Sequence, residues 1–149
     1  MKIINNKFWY AVLALILFQV CSLKAQGDWE LLSKVSFKKM MDENMGFEVD
    51  FPLFSKDLQS RENTLVELRG FIIPTDGYKN QQEFVFSQFP YKNCFFCGGA
   101  GPETVIEVHT LKPILYTSEK ITLRGKLKLN RSDLNRLMFQ LSNAEKIDP

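Results

Sequence analysis

Histidine is almost absent from this 149-residue chain: His109 is the only one, which excludes a zinc helix built on paired histidines. Cysteine is scarce as well. Beyond Cys21 there are only Cys94 and Cys97, with no second Cys-x-x-Cys, so one chain alone cannot assemble a four-sulfur zinc centre. The sequence has no Gly-x-Ser-x-Gly elbow, no phosphate-binding loop and no dinucleotide fingerprint. Those absences remove the commonest enzyme signatures, and a protein that binds rather than catalyses is expected. Charge of one sign is missing too, since 19 Lys and Arg stand against 17 Asp and Glu.

Long apolar runs are confined to the front. Lys2 and Lys7 precede a thirteen-residue run, Phe8 to Val20, broken only by Gln19 and followed by Ser22-Leu23-Lys24-Ala25. That is the make-up of an export signal, with cleavage expected after Ala25. As a helix the run would cover roughly 20 Å of a hydrocarbon core about 30 Å thick, too little for a comfortable span. Bacterial lipoprotein signals end in a cysteine, but Gln19 and Val20 stand before Cys21 where small residues belong. Lipid anchoring at Cys21 is therefore not expected, and the protein reads as periplasmic or extracellular.

Removing residues 1–25 takes away Lys2, Lys7 and Lys24 and no acid, so the balance becomes 16 minus 17, or −1. A surface that tracks phosphates needs a clear cationic excess, so nucleic acid is not an expected partner. The remaining 124 residues suit one domain, which at this size needs no disulfide in order to fold.

Apolar positions then recur with a period of two. Ile121–Leu129 alternates apolar or glycine with polar residues throughout, as a strand with one wet face requires. Thr64–Pro74 reads the same way, with Val66, Leu68 and Ile72 on one side and Glu67 and Arg69 on the other. Phe84–Phe86 and Thr104–Thr110 give two more strands, the latter with Ile106 and Val108 inward and Glu107 and His109 outward. Trp29–Phe37 suggests a further strand at the front. After Leu129, a turn at Ser132–Asn135 and then a strand are expected, although Leu134, Leu137, Met138 and Leu141 also fit a helix. Gly70 and Gly125 interrupt long strands where a coiling sheet must bend.

This pattern predicts a mostly β protein, a small closed OB-like barrel of about five strands, with a small β-sandwich as the alternative. The expected organisation is a signal at 1–25, an N-terminal extension at 26–62 and the barrel at 63–149. Residues 38–63 read as an irregular connection or a partly helical cover. Within them Met40, Met41 and Met45 offer thioethers that bind cuprous ions or simply cover apolar surface. Phe51-Pro52-Leu53-Phe54 reads as an extended piece laying aromatic rings on the barrel, with Pro52 forbidding a central ladder position.

Cys94-Phe95-Phe96-Cys97 and the glycine-rich run after it carry the most chemistry. Two thiols three positions apart can close a small disulfide, chelate a soft metal or shuttle electrons. For zinc or copper, Cys94 and Cys97 supply two donors and Glu103 is the nearest third. His109 lies roughly 20 Å from Glu103 along an extended strand, so only a loop folded back on its strand would bring it in. A reactive redox pair normally opens a helix, whose amides lower the thiol pKa, and Gly98, Gly99, Gly101 and Pro102 argue against a helix here. If instead the pair forms a disulfide, the glycines let backbone approach a ligand or turn with positive φ. Phe95 and Phe96 then anchor the loop or present an apolar recognition surface to an envelope protein or glycan.

Trp29-x-x-Leu32, Phe51-Pro52-x-Phe54, Gly70-Phe71-x-Ile73-Pro74, Cys94-Phe95-Phe96-Cys97-Gly98-x-Ala100-Gly101-Pro102-Glu103 and Gly125-x-Leu127-x-Leu129-Asn130 together resemble a family of small exported bacterial proteins. A broader exported family shares the Gly-x-x-x-Pro strand and a cysteine in the equivalent loop. Some of its members sit beside transporter genes that respond to metal supply, so the resemblance implies a metal-binding accessory protein with a transporter as a partner. That family carries histidine and proline after its first cysteine, whereas this chain has Phe95, Phe96 and Cys97.

Overall fold

In the computed structural model, which describes residues 27–42, 46–74, 77 and 79–147, the period-two segments become a closed barrel. Its strands are β3 (Leu65–Ile73), β4 (Gln81–Ser87), β5 (Val105–Ile114), β6 (Ile121–Leu129) and β7 (Phe139–Ile147). Before them come α1 (Trp29–Leu32), β1 (Val35–Asp42), β2 (Phe47–Phe54) and α2 (Lys56–Ser60). The expected export signal and Cys21 lie outside the described residues.

Around the barrel the order is β3-β4-β5-β7-β6, with β6 returning to β3. Every pairing is antiparallel except β5 with β7. This is a five-stranded barrel of OB type, and the sandwich alternative falls because the sheet closes on itself. Val66, Leu68, Phe86, Ile106, Val108, Leu123, Leu127, Phe139 and Leu141 fill the interior. Glu67, Arg69, Glu107 and His109 stay on the outer face, as the alternation requires.

Gly70 marks a corner. β3 pairs with β6 from Leu65 to Gly70 and with β4 from Phe71 to Ile73, so the strand changes partner at the glycine. A Cβ there would run into the backbone carbonyl of Ser87. Gly125 does the equivalent on β6, where the register with β7 shifts between Arg124 and Lys126 and a Cβ would lie 2.8 Å from Leu141.

Two expectations about the extension are corrected. Trp29–Phe37 is not one strand: Trp29 and Leu32, three apart, bury one face of a helical turn, and the strand starts only at Val35. Trp29 stacks on Phe86 at 6.3 Å and donates its indole N–H to Arg69 O at 3.0 Å. Residues 38–63 are partly helical, since α2 lies among them, but they are not an irregular connection. They carry most of a two-stranded ribbon, in which β1 pairs with β2 from Val35–Phe54 to Asp42–Phe47. α2 follows, its N-terminus capped by Ser55, whose hydroxyl accepts from Leu58 N at 3.3 Å.

The ribbon is rooted by Phe54, which meets Phe139 at 5.8 Å between ring centres. Pro52 lies in this ribbon rather than in the barrel, a position without a central ladder to break. Met40 and Met41 are both exposed, and as neighbours on a strand they leave on opposite faces. They cannot close on one cuprous ion together, and Met45 lies outside the described residues. The turn and strand expected after Leu129 are present, with β7 closing the barrel.

Candidate functional site

Residues 88–104 connect β4 to β5 and carry the cysteine motif on three short turns of 3-10 helix. Their base is tied to the barrel. Gln88 N donates to Thr104 O at 2.9 Å, and the Thr104 hydroxyl donates to Gly101 O at 2.7 Å. At the tip, Cys97 N and Gly99 N both donate to the Cys94 carbonyl, at 3.1 and 3.2 Å, while Gly98 N donates to Phe95 O at 2.9 Å. Gly98 is left-handed at φ 75°, and a Cβ on Gly99 would lie 2.8 Å from the Asn93 backbone. These two glycines permit so tight a reversal.

Both cysteines are free thiols, Cys94 buried and Cys97 exposed. Partial desolvation, then the hydrogen bond and charge of Cys94, push the Cys97 thiol above its ordinary value. This agrees with the absence of a helix start, whose amides would have lowered it.

The four expected metal donors are dispersed. Glu103 folds its carboxylate over Gly101 within the same loop. His109 stands on β5 with Nε2 3.1 Å from Glu107 and Nδ1 3.4 Å from Glu83. Arg136 also bonds to Glu107, and the carboxylate raises the arginine further. Among the described residues no group of three or more His, Cys, Asp or Glu could hold a metal ion. Because Val105–Ile114 is extended, His109 is carried along the barrel wall and away from the loop.

The loop instead borders a cleft. About 540 Å³ of space opens between the ribbon, the cysteine loop and the β6–β7 connection. The ribbon contributes Phe37, Phe51 and Pro52; the loop contributes Phe95 and Pro102; the connection contributes Leu134, Leu137 and Met138. Phe95, between the two cysteines, turns into this cleft, while its edge-on neighbour Phe96 at 5.4 Å remains about half exposed.

Asn130 holds the connection in shape. Its amide donates to Asp133 O at 2.6 Å and to Arg136 O and Leu137 O at 3.3 Å, and its carbonyl oxygen accepts from Ser132 N and Asp133 N. The cations at the rim are already engaged. Arg131 grips Glu62 at 2.7 and 3.0 Å, which lowers the Glu62 carboxyl below its usual range, and Arg136 is taken by Glu107. The available surface is therefore mostly apolar. The sequence marks Phe95 and the strand-or-helix residues Leu134, Leu137 and Met138, but nothing local signals that these meet Phe37 and Phe51.

No family model, no curated protein and no solved structure matches this chain.

Proposed function

We propose that this is an exported binding module, an adaptor that takes an apolar segment of another envelope protein in the cleft between the ribbon and the barrel. The observation that carries this reading is the cleft itself, whose volume of about 540 Å³ falls within the range of small-ligand sites. Its walls come from three separate parts of the chain, and their aromatic and aliphatic side chains gain most from covering an apolar partner. A glycan is the poorer fit. Sugars need many polar partners, whereas this lining is mostly aromatic and aliphatic and Asn130 and Arg131 are bonded to the protein.

Selection of random peptides and a glycan array on the immobilised protein tests this, followed by titration of the selected ligands against Leu137→Arg. Peptides that lose at least about tenfold in affinity, roughly 1.4 kcal/mol, support the cleft. Ligands indifferent to Leu137→Arg, or glycans alone, overturn it.

Two free thiols three positions apart favour a second reading, a metal-binding accessory protein that uses Cys94 and Cys97 with zinc or copper. The remaining donors would then come from a partner, such as a transporter, or from a second chain. Native mass spectrometry separates the readings. Stoichiometric metal that disappears in Cys97→Ser supports this one, and metal-free protein retires it.

A further inference from the structure

We propose that Cys97 is a disulfide-exchange site and that closure of a Cys94–Cys97 bond repositions Phe95 in the cleft, so that oxidation sets the shape of the binding surface. The proposal rests on the cleft reading above and adds its regulation.

Geometry supplies the first argument. Cys97 N donates to Cys94 O at 3.1 Å, the signature of a four-residue turn. Such a turn holds its end Cα atoms within about 7 Å, near the window of about 4.4–6.8 Å that a disulfide tolerates. Both cysteines are free thiols, so their sulfurs must close to about 2.05 Å to form a covalent bond. Closure makes a ring of the residues from Cys94 to Cys97, and Phe95 lies inside that ring.

Accessibility supplies the second. Cys97 is exposed and Cys94 buried, which assigns the order of events. With a small-molecule disulfide as oxidant, Cys97 releases its proton to solvent and its thiolate attacks one sulfur, expelling one thiolate. Cys94 then loses its proton and attacks Cys97 Sγ, expelling the second. The protein loses two hydrogens and the oxidant becomes two thiols.

Linkage to the cleft supplies the third. Gln88 closes the base of the loop on Thr104, and Thr104 bonds back to Gly101, so the tip moves on a held base. Phe95 reaches the cleft from that tip and faces the connection that carries Leu137 and Met138.

The test uses the full chain with Cys21→Ser, so that only Cys94 and Cys97 remain as thiols, titrated with oxidised glutathione. Mass spectrometry reads the loss of two hydrogens, and NMR reads the Phe95 ring, the Leu137 methyls and the Met138 methyl. The expected result is a disulfide together with shifts of all three residues, absent when Cys97→Ser is treated alike. Failure to form the disulfide overturns the proposal. So do shifts confined to residues 93–99, or equal shifts in Cys97→Ser. None of these outcomes touches the cleft reading, which stands or falls on the peptide titration.

Discussion

Single positions decide how the barrel turns its corners. At Gly70 a methyl group would meet the Ser87 carbonyl, part of the backbone and unable to rotate aside. Gly70→Ala should therefore destabilise by about 1–3 kcal/mol, seen as a lower midpoint in urea with an unchanged slope. Phe96 is the contrast. With its ring about half in solvent and outside the cleft lining, Phe96→Ala should leave stability within about 0.5 kcal/mol of the parent. Phe95→Ala, by comparison, should weaken whatever peptide the cleft selects, as titration would show.

The β6–β7 connection depends on polar contacts where strands depend on a ladder. Asn130 satisfies several loop carbonyls and amides at once, so Asn130→Ala should cost about 1–3 kcal/mol by thermal melting and loosen the cleft wall. The same connection carries a pH dependence. Glu62, held below its ordinary value chiefly by the hydrogen bonds from Arg131, stabilises the fold in its charged form. That contribution is complete above the unfolded carboxyl's pKa, roughly 4, and is lost as pH falls through the lower folded value. Parent protein should lose thermal stability on going from neutral pH to below about 4 by more than Glu62→Gln does. Equal losses in the two proteins would show that Glu62 is not the responsible group.

Taken together, the pieces share one buried core. Trp29 and Leu32 of the extension and Leu58 of α2 belong to the same buried cluster as the barrel residues. Trp29→Ala should cost about 3–5 kcal/mol, and tryptophan fluorescence and far-UV circular dichroism of residues 26–149 should report one coincident unfolding transition. Separate transitions would mean that the extension folds as its own unit.

Much of this body was legible beforehand, for a definite reason. A strand with one wet face imprints its period of two directly on neighbouring residues, so Ile121–Leu129 could be bounded to the residue and the glycine bends at 70 and 125 foreseen. Of the ribbon only the extended Phe51–Phe54 was legible, because neither face is wholly buried and Lys38-Lys39-Met40-Met41 has no alternation to read. α1 escaped because four residues hold too few positions to distinguish a helical spacing from a strand's. The cysteine pair and its glycines were visible as a tight loop, since thiol spacing and positive φ are local properties. What local pattern cannot carry is convergence. Phe37, Phe51, Phe95 and Leu137 lie on four segments whose meeting depends on how the ribbon roots against Phe139 and where barrel closure puts the loops. The same closure carried His109 along an extended strand, so a donor set that is compact in composition is scattered in space. Periodicity along the backbone wrote the barrel into the chain, and the docking of distant loops against it made the cleft.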